Sequence, residues 1–579
     1  MTAFPPRSTE PMGVLRPALA RAVRPVVALL AALLVLGSLG VAPLPTARAS
    51  AATPTIAVTA TSTSTSALEV RWVPSAGYSA QAWSLNVLED ASGRSWGQRT
   101  ACKDCRSTVI DGLSAGVAYR IVVIGWGDTV ASGEARATVS SASCAGVTGT
   151  CVTVGAGTRP AAAHVGQGFL FGTTAATDMA AVTALAPRSW RIAPHTPDSF
   201  ARARAAGGDI TLILSDSWRA YVKDNGLLPG TNPWDDFAAY RAFVTSTVRR
   251  HINLGMLPEY WEVQNEPDGN NIYGLLSPAT RPLVLEQHRV AHDAIRALLP
   301  DARIVGPALA KFRYRDALAT VDLESFVDFA ASNGLRFDIA WHENGNNVLG
   351  QYDGDPKSLV GHVDMVRQLI ADRPALGQPR ILINEFGAPW NFDQPGASVG
   401  YLAALETAQV SGANRACFPI RVGLTTYSTC HSEPGLLDGL LLPDGSKADN
   451  YLVHQAYAAM TGARLQTSTT DRSTSALSAQ DGGTVRTLVG RHQSCTQGAN
   501  QGCPLLWKPG QTGTALTVKL PCADGGTYDV RVERIDDLAP TAATAITVLA
   551  SKMTCSGGAL SVKLPGLADG AVYSVVSTG

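Results

Sequence analysis

The chain has 579 residues, of which 47 are lysine or arginine and 47 are aspartate or glutamate, so its formal net charge is zero. Length alone allows roughly three or four domains. The balanced charge argues against nucleic acid as a partner, because phosphate binding needs a basic surface. A neutral polar partner fits this balance better.

The N-terminus has the order of a secretory signal peptide. Arg16, Arg21 and Arg24 precede an apolar run from Val26 to Ala42, which ends in prolines and Ala47-Arg48-Ala49. This order predicts cleavage after Ala49 and a secreted, extracellular protein without stable membrane association. The alternative is an uncleaved anchor, although a core of about 17 residues is at the short end of a membrane span.

Ten cysteines fall into five neighbouring pairs: Cys102/Cys105, Cys144/Cys151, Cys417/Cys430, Cys495/Cys503 and Cys522/Cys555. An even count in an exported chain predicts disulfides, while the connectivity stays open. The alternative is a metal site at Cys102-Lys-Asp-Cys105, but that segment has no second CxxC or histidine pair nearby. We therefore expect no metal and no cofactor.

Residues 53–140 contain short alternating strands separated by turn residues, at 67–72, 82–87 and 119–123. This pattern predicts a small all-β sandwich. It resembles a fibronectin type III module, with Trp72 at the core tryptophan of that family and Leu113 to Tyr119 matching its Leu-x-x-Gly-x-x-Tyr corner. A Cys/Gly/Thr-rich linker is expected at 141–163.

From residue 164 to 462, apolar strands alternate with amphipathic helices. The predicted strands are Gly168–Phe171, Ser189–Ile192, Asp209–Leu214, Tyr260–Gln264, Arg303–Gly306, Phe337–Trp341, Arg380–Ile383 and Arg415–Phe418. The predicted helices span about 178–186, 199–206, 234–253, 280–299, 322–333, 357–372, 399–411 and 449–461. Eight βα units of this size predict a (β/α)₈ barrel, whose sites lie at the C-terminal strand ends. A doubly wound open sheet is the alternative.

Two of these strands end in the same dipeptide, Asn-Glu. The fourth runs into Asn265-Glu266-Pro267, where the proline ends the ladder, and the seventh runs into Asn384-Glu385 before Gly387. Alternation along the fourth strand predicts that Glu262, Gln264 and Glu266 face the same way. Two carboxylates at strand ends are what a retaining glycosidase needs, one protonated to release the leaving group and one ionised to attack.

These motifs, with Gly306-Pro307-Ala308 and Trp341-His342, resemble glycoside hydrolase clan A, and Trp261 to Pro267 looks most like family 39, the β-xylosidase and iduronidase group. The resemblance implies Glu266 as acid/base, Glu385 as nucleophile and Asn265 as a partner of the sugar 2-hydroxyl. It also implies that Arg191 keeps Glu385 ionised. The chain departs from the clan at strand eight, where Cys417-Phe418-Pro419 replaces a tryptophan; Phe418 or Trp390 could serve instead.

Further candidates for substrate contact lie at the ends of other barrel strands. His342 and Glu343 follow strand six and could instead form a structural pair. His195 and Trp218 follow strands two and three, and Trp390 could stack on a sugar, although aromatic residues more often pack in cores.

Residues 463–579 return to strands with Gly, Asp and Ser turns, which predicts a second β-sandwich as a structural partner of the barrel. The whole chain is therefore expected to divide into five parts: signal peptide 1–49, fibronectin type III-like sandwich 53–140, linker 141–163, (β/α)₈ barrel 164–462 and C-terminal sandwich 463–579.

The predicted function is a secreted, monomeric, retaining glycoside hydrolase that cleaves O-glycosidic bonds of poly- or oligosaccharides. Two alternatives stay open. A transglycosylase would use the same site with an acceptor sugar in place of water. A non-catalytic carbohydrate-binding or adhesion protein would use a barrel without activity.

Overall fold

In this computed structural model, the structure describes residues 54–579 with gaps at 64–66, 81, 92–94, 102–104, 111–112, 128, 141–143, 160–163, 172, 193–195, 228–229, 270–276, 317, 345–354, 390, 419, 423–424, 428–435, 493–511 and 539–540. The predicted signal peptide therefore lies outside the described residues.

The N-terminal part is built from seven antiparallel strands in two sheets. They are β1 (Ile56–Ser62), β2 (Leu68–Pro74), β3 (Ala82–Glu89), β4 (Ser95–Ala101), β5 (Ser107–Ile110), β6 (Ala118–Trp126) and β7 (Val130–Thr138). One sheet has the order β1-β2-β5 and the other β4-β3-β6-β7. Trp72, Trp83 and Tyr119 are fully buried between them, and the Tyr119 hydroxyl accepts a hydrogen bond from the backbone N–H of Ser114 at 3.0 Å.

After β8 (Thr150–Arg159), eight parallel strands form the barrel sheet. They are β9 (Gly168–Leu170), β10 (Ser189–Ile192), β11 (Asp209–Ile213), β12 (Tyr260–Glu262), β13 (Arg303–Leu309), β14 (Asp338–Glu343), β15 (Ile381–Phe386) and β16 (Gly412–Arg415). Their hydrogen-bonded order follows the sequence. Beside β9, the backbone N–H of Ala413 donates to the carbonyl of Val165 at 3.0 Å, so the barrel is nearly closed.

The helices that cover the barrel alternate with its strands. They are α1 (Met179–Thr183), α2 (Pro197–Ala206), α3 (Leu214–Asp224), α4 (Phe237–Leu254), α5 (Arg281–Arg296), α6 (Leu323–Ser332), α7 (Ser358–Ala371), α8 (Pro395–Ala408) and α9 (Asp449–Ala458). Helix α4 shows how the sequence sets their bounds. The Asp236 side chain caps its N-terminus, and Gly255, at a φ of 66°, ends it in a left-handed conformation that glycine adopts without strain.

Strand eight and one helix of the barrel differ most from the sequence prediction. Strand eight is Gly412–Arg415 rather than 415–418, so Cys417 and Phe418 lie in the loop beyond it. Helix α3 begins directly after β11 and was not predicted. Its signal was present, because Leu214, Trp218 and Val222 recur every four residues and are all buried on one face.

The C-terminal part is a nine-stranded sheet to which the expected linker contributes. Besides β8, its strands are β19 (Ala463–Thr469), β20 (Thr474–Asp481), β21 (Thr484–Arg491), β22 (Leu516–Pro521), β23 (Thr527–Ile535), β24 (Ile546–Thr554), β25 (Ala559–Leu564) and β26 (Val572–Thr578). The hairpin of β17 (Ile420–Val422) and β18 (Thr425–Tyr427) precedes them in the sequence and forms a separate two-stranded sheet. The order is β24-β23-β26-β21-β20-β19-β8-β22-β25. Residues 150–159 are thus an interior strand of this sheet, and the linker prediction for that stretch is wrong.

The same sheet folds over on itself, because strands from both of its ends share one core. Val152 of β8 packs with Leu516 of β22, Val530 of β23 and Leu560 of β25. The structure contains the Cys144–Cys151 and Cys522–Cys555 disulfides as paired in the sequence analysis. Cys105 and Cys417 are also disulfide-bonded, while Cys102, Cys430, Cys495 and Cys503 lie outside the described residues.

Glu406 on α8 joins the barrel to the C-terminal sheet. Its buried carboxylate accepts hydrogen bonds from the Arg464 guanidinium at 2.9 Å, from the Tyr457 hydroxyl and from the backbone N–H of His164 at 3.1 Å. The N-terminal sandwich also contacts this sheet, because the backbone N–H of Ala115 donates to the carbonyl of Thr469 on β19 at 2.8 Å. Residues 54–579 accordingly form one compact unit.

We expect Glu406→Gln to lower the free energy of unfolding by about 3 kcal/mol or more, because Arg464 then stays buried without its counter-charge. Urea denaturation followed by circular dichroism measures this loss. The matched control is Glu324→Gln, which removes an ion pair to the largely exposed Arg315 and should cost about 1 kcal/mol or less. Equal losses in the two variants would contradict this account of the interface.

Candidate active site

The Arg191 side chain lies at the centre of the upper barrel and is fully buried. Its Nε and one terminal nitrogen donate to the two oxygens of Glu262, at 2.8 and 2.5 Å. That same terminal nitrogen donates to Asn265 Oδ1 at 2.6 Å, and the other donates to Glu385 Oε1 at 2.6 Å. Three strands are thereby fixed to one planar cation, which presents its donors in a rigid geometry.

Glu262 is the fully buried partner that fixes this arginine. Its Oε2 also accepts a hydrogen bond from the Asn384 amide at 2.9 Å. The sequence analysis placed Glu262 on the face of the site without giving it a role.

Gln264 was expected on the same face as Glu262, and this is wrong. Its amide donates to the carbonyl of Val284 and to Gln287 on α5, outside the barrel. Strand β12 ends at Glu262, so the alternation of side chains does not continue as far as Glu266.

The two motif glutamates meet at His342. The imidazole Nδ1 lies 3.4 Å from Glu266 Oε1 and 3.7 Å from Glu385 Oε2. Both carboxylates remain partly exposed, whereas His342 is fully buried beneath them.

Glu266 has a φ of 51°, a left-handed conformation that is costly for a residue with a side chain and is characteristic of functional sites. Its backbone N–H donates to the carbonyl of Ala308 at 2.9 Å, which holds this conformation.

The charges of these carboxylates perturb both buried cations. Burial opposes the charge on Arg191, but attraction to Glu262 and Glu385 outweighs it and raises the pKa of the guanidinium. Burial likewise opposes protonation of His342, yet the nearby charges of Glu385 and Glu266 raise the pKa of the imidazole above its ordinary value. The site thus favours two cations between its carboxylates.

Two buried residues near Glu385 were missed by the sequence analysis. Asp438 accepts a hydrogen bond from the backbone N–H of Leu170 at 2.7 Å, and burial, with a smaller contribution from the charge of Glu385, raises its pKa well above the usual range. Arg415, at the end of β16, donates to the carbonyls of Asp438 and Phe392, and burial lowers its pKa to about 10. It ties together the loops that follow β15 and β16. No local motif marks either residue.

The other candidates are placed differently. Trp218 lies on α3 rather than at a strand end, and its ring is buried against Tyr240 and Phe243, which makes it part of the core. Glu343 accepts hydrogen bonds from the Trp341 indole at 2.6 Å and pairs with His362 at 2.8 Å, so it is a structural partner.

The remaining predicted substrate contacts are Phe418, Trp390 and His195. Phe418 packs edge-on against Phe392 at 5.1 Å between ring centroids. His195 and Trp390 lie outside the described residues. Within the part of the chain that the structure describes, no cluster of three or more His, Cys, Asp or Glu side chains could hold a metal ion, and no helix is long and apolar enough to cross a membrane.

Comparison with known proteins gives structural matches alone. No family model and no curated protein matches the sequence. The structure of N2152 from Neocallimastix frontalis matches with a TM-score of 0.57 and 19% identity, covering 74% of this chain and 100% of that one. The GH39 enzyme from Xanthomonas axonopodis pv. citri matches with a TM-score of 0.51 and 17% identity, covering 76% of this chain and 99% of that one. At these identities the likeness concerns the fold alone.

Proposed function

We propose that this protein is a retaining glycosidase, with Glu266 as acid/base and Glu385 as nucleophile. The observation that carries the proposal is the convergence of both carboxylates on His342 Nδ1, at 3.4 and 3.7 Å, while Arg191 binds Glu385 alone of the two. Retaining enzymes keep their carboxyl groups about 5 to 5.5 Å apart, whereas inverting enzymes leave room for water at about 6.5 to 9.5 Å. Oxygens of both carboxylates lie within 4 Å of one nitrogen, which is compatible with the closer arrangement.

The two environments suit two different roles. Glu385 accepts a charge-assisted hydrogen bond from Arg191, which offsets the negative charge that an attacking nucleophile must carry. Glu385 attacks the anomeric carbon and forms a glycosyl-enzyme, while Glu266 gives its proton to the leaving oxygen. Glu266 then takes a proton from the water that hydrolyses this intermediate. Asn265, held by Arg191, is positioned for the sugar 2-hydroxyl.

The finer assignments are also proposals. Family 39 and a β-xylosidase-like specificity rest on the Trp261 to Pro267 motif together with the fold. The fibronectin type III assignment is supported by the two sheet orders and by the Tyr119 corner. Export through a signal peptide at 1–49 is supported by the Cys144–Cys151 and Cys522–Cys555 disulfides, which form and persist in oxidising compartments.

The decisive test uses aryl glycosides and polysaccharides with Glu385→Gln and Glu266→Ala. We expect each variant to lose about 10²-fold or more in turnover, because each removes one of the two required groups. Azide should restore turnover of an activated aryl glycoside by Glu266→Ala and give a glycosyl azide of retained configuration. Glu286→Gln, on the outer surface of α5, is the matched control and should keep wild-type activity.

Three results would change this assignment. An inverted product from the wild-type protein would exclude the retaining mechanism. Wild-type inactivity across the panel, together with binding to a polysaccharide, would favour the non-catalytic carbohydrate-binding alternative. Transfer of the sugar to an added acceptor in preference to water would identify a transglycosylase.

We expect Glu262→Gln to lower kcat by about 10²-fold with a smaller change in KM, because a misplaced Arg191 no longer aligns Glu385. Steady-state kinetics on the best aryl glycoside measures the two constants. The control is Gln264→Met, two residues along the chain, whose side chain faces α5 and should leave kcat close to wild type. An equal fall of kcat in both variants would show that Glu262 acts only through stability.

The raised pKa of His342 predicts a pH-dependent stability. A raised folded-state pKa contributes stability that is fully present below the unfolded-state value of about 6.5 and is lost as the pH rises through the folded-state value. The stability advantage of the wild type over His342→Gln should therefore shrink as the pH rises above about 6.5. Urea denaturation at a series of pH values measures it.

His292 provides a control of opposite sign. Burial lowers the pKa of its imidazole, so the wild type should gain stability relative to His292→Gln as the pH rises. A wild-type advantage over His342→Gln that stayed constant or grew with pH would contradict the proposed protonated state of His342.

A further inference from the structure

The segment that carries Glu266 lies beyond the end of strand β12. That strand ends at Glu262, and Pro267, directly after Glu266, has no backbone N–H to donate. The backbone of the Asn265-Glu266 dipeptide must therefore be held by other groups. The structure shows one acceptor for each of its two N–H groups.

The acceptor for the backbone of Asn265 is a side chain. The Asn265 N–H donates to Ser215 Oγ at 3.0 Å, and Ser215 is fully buried. Ser215 is the second residue of α3, and β11 pairs with β12 only as far as Ile213, which lies opposite Glu262. Because the carbonyls of a helix point along its axis, α3 cannot continue the ladder beyond Ile213. The serine hydroxyl supplies the acceptor in place of a strand carbonyl.

The acceptor for the backbone of Glu266 lies on the opposite side of β12. The Glu266 N–H donates to the carbonyl of Ala308 on β13 at 2.9 Å. Strands β11 and β13 are the two neighbours of β12 in the barrel sheet, so the dipeptide is held from both sides. Arg191 binds the Asn265 side chain and leaves its N–H to Ser215. The left-handed φ of Glu266 persists only where the surroundings over-determine it, and the Ser215 hydroxyl is one of those determinants.

The position of this backbone decides where the Glu266 carboxyl group lies. A general acid must come within about 2.6 to 3.2 Å of the atom that receives its proton. A misplacement of about 1 Å can cost about 10²-fold in rate. Loss of the Ser215 oxygen would leave the Asn265 N–H without its acceptor and release one side of the dipeptide. The nucleophile is held separately, by the hydrogen bond from Arg191 to Glu385.

We propose that Ser215 is a positioning residue for the acid/base: its hydroxyl holds the Asn265 N–H and thereby places the Glu266 carboxyl group at the leaving oxygen. The inference rests on the proposed function, because it gives Ser215 a part in the protonation step. Ser215 transfers no proton itself and acts through the backbone of the dipeptide. Its removal should therefore impair the release of leaving groups that need a proton and spare those that do not.

The test compares two aryl glycosides of the sugar that the wild type hydrolyses, a phenyl glycoside and a 2,4-dinitrophenyl glycoside. The phenyl aglycone needs a proton from the general acid to leave, whereas 2,4-dinitrophenolate leaves without one. We expect Ser215→Ala to lower kcat/KM about tenfold or more for the phenyl glycoside and less than about threefold for the dinitrophenyl glycoside. A loss of folded protein would lower both values equally.

The matched control is Ser217→Ala, on the same turn of α3. The Ser217 hydroxyl donates to the carbonyl of Ile213 at 3.1 Å, so its removal should leave kcat/KM close to wild type for both glycosides. Glu266→Ala sets the scale, because it removes the acid itself. It should show the same selectivity as Ser215→Ala, in larger measure.

The other outcomes overturn the inference. Equal losses on the two glycosides in Ser215→Ala would show a structural role alone, and no loss would show no role. The same selective loss in Ser217→Ala would also contradict it. If Glu266→Ala shows no selectivity, the acid/base assignment fails and the inference fails with it, whereas selectivity in Glu266→Ala without any in Ser215→Ala refutes the inference alone. Should Ser215→Ala fail to fold, Ser215→Cys, whose sulfur is a weak acceptor, must show the selective loss instead.

Discussion

The structure of the site depends on the burial of one arginine. Arg191 is removed from water, so its charge must be met by protein groups, and four hydrogen bonds from its side chain meet it. A buried charge that loses its partner is destabilising by several kcal/mol, which makes the positions of Glu262 and Glu385 interdependent. Strands β10, β12 and β15 are therefore held in register at their upper ends by electrostatics as well as by backbone ladders.

The charges of this cluster are interdependent. Three glutamates, Glu262, Glu266 and Glu385, surround two basic side chains, Arg191 and His342. Arg191 pairs with Glu262 and Glu385, and the charges of Glu385 and Glu266 raise the pKa of the His342 imidazole. A change at any one of these side chains therefore alters the electrostatic environment of the others.

Local sequence patterns predicted the residues of this cluster better than their orientations. Strand-end Asn-Glu dipeptides predicted Glu266 and Glu385 as a pair, and the resemblance to clan A implied that Arg191 lies near Glu385, as the 2.6 Å hydrogen bond between them shows. Gln264 was misplaced because the alternation was extended past the end of β12. Asp438 and Arg415 could not be found, since their roles arise from contacts between the loops after β15 and β16 rather than from any spacing along the chain.

Local sequence patterns also could not predict the topology of the C-terminal sheet. Strand β8 precedes the barrel but pairs with β19, which follows it, and no property of residues 150–159 specifies a partner some 300 residues away in a chain of 579. This pairing has a structural consequence. The chain enters the barrel near His164 and leaves it near Arg464, and Glu406 bonds both.

Two contacts thus hold together the segments where the chain enters and leaves the barrel. One is the pairing of β8 with β19, and the other is the buried carboxylate of Glu406. Because β9 and β16 are the first and last strands between these points, the same contacts bring the two edges of the barrel sheet together. Arg191 needs that closed barrel to reach Glu385, which lies on β15, beside the closing edge. The C-terminal sheet therefore supports the site, and none of the site side chains described above belongs to it.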